Sequence, residues 1–328
     1  MDKIEHELLY LRSEHARMKL KEIGQKLKKS SQRLKYNVSV MQKEGMIHDP
    51  FSVIDYSYFG LILFRVYFKG VYISEHDKLQ VIQELMNNPF VISVYELTGE
   101  FDLTVEFAAP NPSKFNKELK KIAAANPTLN DYKIVLNLVS HIYPRKYLLK
   151  DAALQSISSE KIIGGDREQE TFNSNEMKVL HELVLSPTIR LADLSKKSGL
   201  NVKTVGSIIK QLRKRKVIRS FRYNVNTSKL GISKNRLFLK LHNLSLERED
   251  QLMIYLLKTK EVVQVNKTVG DWDIEIDIES LEATKIRSMI RELREEFKDV
   301  IERFNLIEFY MYYKRSYLPM FIFEEKMQ

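Results

Sequence analysis

The chain is written twice. Gly99-Glu100-Phe101-Asp102 recurs as Gly270-Asp271-Trp272-Asp273, 171 positions later. The same offset lays Ile23 on Leu194, Leu34 on Val205, Val38 on Ile209, Met41 on Leu212 and Ile47 on Ile218, and Phe59-Gly60 on Leu230-Gly231. Near the ends it slips by one, so that Arg145-Lys146-Tyr147-Leu148 matches Arg315-Ser316-Tyr317-Leu318. A register held over most of each half means two copies of one unit, each roughly 145 residues long. The join falls near Lys150 to Asn175. Ser156, Ser158, Ser159 and Gly164-Gly165-Asp166 give it a turn or linker composition, with a short helix expected over Asp151–Ile157 and no chemistry.

Each copy opens on helical spacing. Leu8, Leu9 and Leu11 mark a first helix, Leu20, Ile23 and Leu27 a second, and Leu34, Val38 and Met41 a third with a buried stripe at i, i+4, i+7. Copy two answers with Val179, Leu180 and Leu183; Leu191 and Leu194; and Val205, Ile209 and Leu212. Ser30 and Asn201 stand where N-caps of the third helices belong. Two short helices joined by a tight turn over a first make a helix-turn-helix. Met46-Ile47 with Val53-Ile54, and Val217-Ile218 with Phe221, read as the wing or hinge of a winged helix. The order that follows is βαββαβ: Leu61–Phe68, Lys78–Met86, Phe90–Leu97, Phe101–Phe107, Pro112–Ala125 and Tyr132–Tyr143, then the same again from Arg236 to Tyr313.

Charge is sorted along this frame. The chain carries +10 overall, and the stretch from Ser186 to Arg222 alone carries +10, with eleven Lys or Arg and one acid. The matching stretch Glu14–Pro50 carries +5, whereas Lys258–Glu308 carries −4. Basic runs are commonly solvated surface, so spacing has to decide. At about 100° per residue the apolar stripe of each third helix turns Gln32, Tyr36, Ser39 and Lys43, and Lys203, Ser207, Lys210 and Lys214, outward. These are cations and hydrogen-bonding groups of the kind that read base edges and hold phosphates. The expected DNA-binding set is Gln32, Arg33, Lys35, Tyr36, Ser39, Lys43, Lys203, Thr204, Ser207, Lys210 and Lys214. The expected partner is double-stranded DNA.

Other chemistries find little support. There is no cysteine, which removes disulfides, thiolate nucleophiles and thiolate metal sites, and agrees with a reducing compartment such as the cytoplasm. No apolar run approaches a membrane span, and Met1–Lys21 is too charged for an export signal. The histidines are scattered, and phosphate-loop, dinucleotide and nucleophile-elbow patterns are missing. Asp273, Glu275, Asp277 and Glu279 alternate with isoleucines, an acidic strand face expected to be solvated or at an interface rather than to hold a metal. No catalytic residue, cofactor or metal is expected. Tyr310, Tyr312, Tyr313 and Tyr317 are read as packing of a terminal strand rather than as stacking platforms.

Taken together these motifs resemble the Lrp/AsnC family of leucine-responsive and asparagine-synthesis type regulators, twice over nearly the whole chain. The likeness rests on the helix-turn-helix followed by Gly45-Met46-Ile47 (Lys216-Val217-Ile218 in copy two, without the glycine), on Phe59-Gly60 and Leu230-Gly231, and on the two G-x-aromatic-D turns. It implies an α+β fold with two winged helix-turn-helix domains, 1–50 and 176–222. Each is followed by a ferredoxin-like effector and dimerisation sandwich, 51–149 and 223–320, across a linker at 150–175. It implies DNA-binding transcription regulation with no reaction of its own, and a homo-oligomer formed through the sandwiches. An amino acid or similar effector would sit at Thr98, Gly99, Asp102, Thr268, Gly270 and Asp273. Because both units share one chain, the resemblance also implies a built-in pseudo-dimer with an asymmetric DNA site. The rival architecture is siroheme decarboxylase, also known in fused form. Its Arg/His-rich stretch and Trp-Pro-Tyr-Asn-like segment are not found at Gly99–Phe107 or Gly270–Ile278. A second rival is an interaction scaffold with inert helix-turn-helix modules, which predicts no salt-dependent DNA binding.

Overall fold

The computed structural model describes residues 5–70, 74–150 and 152–326. The first copy begins with α1 (His6–Glu14), α2 (Leu20–Leu27) and α3 (Ser31–Lys43). The Ser30 hydroxyl accepts the Arg33 amide and so caps α3 at an otherwise unsatisfied donor. Leu34, Val38 and Met41 are buried, as their spacing predicts. β1 (Ile47–Ile54) leads to the sandwich: β2 (Ile62–Phe68), α4 (Glu75–Asn87), β3 (Val91–Thr98), β4 (Leu103–Ala109), α5 (Pro112–Ala125) and β5 (Tyr132–Ile142).

The join is more ordered than its composition implies. Asp151 lies outside the described residues, but Ala152–Ile157 form a 3-10 helix, and β6 (Lys161–Gly164) pairs with β5. The Gly164 amide donates to the buried Asp55 carboxylate at 3.0 Å, which anchors the strand from below.

The second copy repeats the elements: α6 (Ser174–Leu185), α7 (Leu191–Ser198), α8 (Val202–Lys214), β7 (Ile218–Val225), β8 (Ser233–Leu241), α9 (Leu246–Lys258), β9 (Val262–Val269), β10 (Ile274–Ser280), α10 (Ala283–Glu296) and β11 (Ile301–Arg315), closed by α11 (Phe321–Lys326). Asn201 caps α8 through the Thr204 amide at 2.8 Å. In α8 the buried stripe is Val205, Ile208 and Leu212, with Ile209 half-buried, one position from the expected spacing.

Within each copy the sandwich strands lie in the order β5-β2-β4-β3 and β11-β8-β10-β9, and β3 pairs with β11 while β9 pairs with β5. The eight strands therefore close into a ring in which neither copy keeps an exposed edge on these strands. The segments after the third helices do not fold back as wings within their own units. β1 and β7 pair with each other, antiparallel, with Phe51 opposite Arg222. Those two positions are themselves 171 apart, so the pseudo-twofold axis runs between them; the β1–β7 pair is self-complementary, and the axis exchanges the two ring seams. The sequence concealed this strand because Pro50 interrupts it: the ladder slips between His48 and Pro50, and Asp49 takes φ +33°.

Candidate nucleic-acid interface

Both third helices keep their outer faces clear. Gln32, Arg33, Lys35, Tyr36, Ser39 and Lys43 are exposed, Tyr36 at 71%. Lys203, Ser207, Lys210 and Lys214 are exposed and Thr204 is half-buried beside its cap. The two faces differ in charge balance. Glu5 binds Lys29 at 2.7 Å and Arg33 at 3.2 Å, which partly neutralises the first head. On the second, Lys203, Lys210 and Lys214 meet no carboxylate within 4.0 Å among the described residues. Such unpaired lysines are ready to replace condensed counterions on a phosphate backbone.

Three arginines of the basic block are instead engaged within the chain. Arg215 donates to Glu170 and to Glu176, the latter at 2.5 Å. Arg222 is 5% exposed and donates to Glu14, and Arg219 donates to the Ile162 carbonyl. Counting charge along the sequence therefore overstates the outer face, because Arg215 at the end of α8 and Arg219 and Arg222 on β7 are held by contacts within the chain.

The G-x-aromatic-D turns sit on the seams between copies. Gly99, φ +116°, lies against Ile307 of β11, and Gly270, φ +146°, lies against Ile134 and Val135 of β5; both are conformations that suit glycine. Thr98 and Gly99 are exposed, Asp102 half-buried and Thr268 buried. The Asp273 carboxylate is engaged within the chain. It binds the Lys240 ammonium at 2.9 Å and accepts the Leu241 amide at 2.7 Å.

The acidic strand face is not solvated; it lies at the interface between the copies, the other of the two expected settings. Glu275, Asp277 and Glu279 are buried inside the ring and meet arginines. Arg236 donates two parallel bonds to Asp277 at 2.6 and 2.9 Å, and Arg65 donates to Glu106 at 2.7 and 2.9 Å. Glu275 lies between the two guanidiniums. It accepts from Arg65 and from the Tyr67 hydroxyl at 2.7 Å, and stands 3.7 Å from Arg236. Burial would raise Asp277 and Glu106, but the adjacent guanidiniums outweigh it and hold both below the usual carboxylate range. Glu279 binds Arg145 and the Tyr147 hydroxyl, each at 2.8 Å. Against the effect of burial, Arg145 and Lys234 hold it at about 2. Sequence reasoning missed this network. Its one signal is that Arg65 and Arg236 stand at equivalent positions in apolar strands. Among the described residues no group of His, Asp or Glu could hold a metal, and no helix is long and apolar enough to cross a membrane.

No family model matches the chain. An uncharacterized HTH-type transcriptional regulator from Pyrococcus furiosus is 28% identical over 123 residues, which is 37% of this chain and 79% of that protein. HTH-type transcriptional regulator FL11 is 28% identical over 115 residues in P. furiosus, covering 35% and 75%, and 31% identical over 100 residues in Pyrococcus abyssi, covering 30% and 65%. Each match spans about the length of one copy. The crystal structure of siroheme decarboxylase NirDL matches end to end, covering 99% of this chain and 98% of that one, with a TM-score of 0.58 and 12% identity. The chain is a tandem of two α+β units, each a helix-turn-helix head with a sandwich, an architecture similar end to end to that structure. Each head is followed by its sandwich, and the two copies pair with each other through β1 and β7 and around the ring. The end-to-end match corrects one expectation. The whole architecture is found in an enzyme, so "no reaction of its own" cannot be read from an Lrp/AsnC-type fold. At 12% identity the likeness concerns the fold.

Proposed function

We propose that the chain is a sequence-specific DNA-binding transcription regulator whose helices α3 and α8 enter neighbouring major grooves of one duplex. The observation that carries this reading is the pair of outward polar faces related by the pseudo-twofold axis at Phe51 and Arg222. Half-sites about 10 base pairs apart, or a multiple, follow from a twofold pair of recognition helices. Because one face offers Gln32, Tyr36 and Ser39 and the other Lys203, Ser207 and Lys210, the two half-sites differ in sequence. Lysines of the basic faces bind phosphates, and the helix faces supply the base contacts.

Fluorescence anisotropy with duplex DNA tests this. Lys203→Ala with Lys210→Ala is expected to weaken binding at least about tenfold and to reduce the salt slope by about 0.9 per lost phosphate contact. Lys120→Ala, on the outer face of α5, is expected to change neither. Equal effects would remove the α8 face from the interface.

The effector part of the reading places an amino acid at the seam turns, around Thr98, Gly99 and Asp102 and around Thr268, Gly270 and Asp273. Its support is the position of each turn against the other copy. Calorimetric titration with a panel of amino acids tests it, and an absence of heat leaves the turns a structural role. Assembly of more than one chain through the sandwiches belongs to the same reading. The exposed Leu246 and Ile254 of α9 offer apolar surface for it.

A further inference from the structure

Between the two heads and the ring lies a cavity of about 400 Å³, framed by the end of α1, the start of α2, Ser158 and Ser159 of the join, and β7. It adjoins a second hollow of about 510 Å³, with which it shares Ser159, Lys161, Arg213 and Arg219. Arg17 and Arg222 complete the basic lining of the first, and Arg167 and Lys216 that of the second.

Glu22 lines the first cavity, exposed and in no ion pair among the described residues, and the other carboxylates nearby are engaged. Glu14 is shared by Arg145 and Arg222, Asp55 by Arg167 and Arg219, and Glu160 is bound to His141. Arg17, Lys161, Arg213 and Lys216 have no carboxylate within 4.0 Å among the described residues. The Nε hydrogens of Arg219 and of the 95% buried Arg222 find no acceptor there either. Burial, followed by the nearby Arg222, Arg219 and Arg213, depresses the Lys161 ammonium, and burial with Arg213 depresses Arg17. The four cations left without a carboxylate repel one another and the paired arginines beside them unless something else neutralises them.

The duplication shows that this charge is not a need of the fold. At the 171 offset Arg213, Lys216, Arg219 and Arg222 fall on Gln42, Gly45, His48 and Phe51. Lys216 even keeps the left-handed backbone, φ +63°, that Gly45 adopts at +65°.

We infer that this cavity binds a small polyanion, a molecule carrying two or more carboxylate or phosphate groups, held by Lys161 and the arginines of β7 and α8. Guanidinium forks suit either group, and the volume falls within the range of small-molecule sites. Arg222 is too deep for the backbone of a duplex to reach, so the occupant is a small molecule rather than DNA.

Calorimetric titration of the whole chain with citrate and with pyrophosphate, in the absence of DNA, tests the inference and separates carboxylate from phosphate chemistry. Saturable binding at one site per chain to at least one probe is expected. Lys161→Ala with Arg213→Ala is expected to lower that affinity at least about tenfold, about 1.4 kcal/mol. Lys203→Ala with Lys210→Ala is expected to leave it unchanged. The cavity variant should melt no lower than the parent, since it removes repulsion, but should lose the rise in melting temperature that the bound probe causes. No saturable binding of either probe, or an equal loss in the α8-face variant, overturns the inference. Neither result bears on DNA binding, which is measured separately.

Discussion

In the first copy β4 sets Thr104, Glu106 and Ala108 along one face, and 171 positions later β10 sets Glu275, Asp277 and Glu279 along the same face. The arginine opposite is kept in both, as Arg65 and Arg236, and so is its own carboxylate, Glu106 or Asp277. What differs is the third group. Glu275 occurs once, between both arginines, where the first copy has Thr104. Two identical chains would bring either two such glutamates to the axis or none. Fusion allows one, and with it a centre that two separate copies could not assemble. The heads diverge in the same manner. One presents Gln32, Tyr36 and Ser39 outward, while the other presents lysines outward and lines the cavity between the heads with arginines. Duplication preserved the skeleton, and the freedom it gave was spent on charge.

Removing the odd carboxylate should have the largest effect. Glu275→Gln leaves two buried guanidiniums short of a counter-charge, and breaking a buried pair in this way costs about 3–5 kcal/mol. Urea denaturation measures it, and a loss under about 1 kcal/mol would mean that the centre does not hold the copies together. Next comes acid. Glu279 sits at about 2 in the folded chain against an ordinary 4.5. Its stabilisation is therefore complete above about pH 4.5 and disappears as the pH falls towards 2, an effect on the order of 3 kcal/mol by linkage. Glu279→Ala, which restores the residue of the first copy, should flatten this acid limb; an unchanged limb would assign it to other groups.

The smallest expected effect concerns the ends of the second helices. Gly199 and its counterpart Lys28 both adopt left-handed backbone, at φ +69° and +53°. Lys28→Gly should stabilise by about 0.5–1 kcal/mol and Gly199→Ala should destabilise by a similar amount. Shifts of the same sign in the two variants would show that the helix ends are not equivalent.

The repeat made much of this fold legible. Every element from α2 to α5 recurs 171 residues on, from α7 to α10, because side-chain period and turn residues are local properties. Pairing between the copies was not legible. Nothing near Pro50 marks β1 as the partner of β7, and β6 hides in a Ser- and Gly-rich join because its strand character comes from β5 alongside it. Burial of charge was likewise hidden. Arg65 within Leu63–Phe68 breaks an apolar run, and a lone cation there reads as exposed until Glu275, 210 residues away, is placed against it. For the outer face of α3, the outward positions followed from the stripe of Leu34, Val38 and Met41. Which cations of Ser186–Arg222 point outward did not, since Arg215, Arg219 and Arg222 lie beyond the helix's regular period.

Selection of bound duplexes from random DNA by the whole chain, read by sequencing, tests most directly whether two unlike heads act as one pair. The expected result is a bipartite site with half-sites about one helical turn apart, or a multiple, and different in sequence. Tyr36→Ala should alter one half and Ser207→Ala the other. Recovery of perfect palindromes, or of no enriched duplex even at low salt, would contradict it.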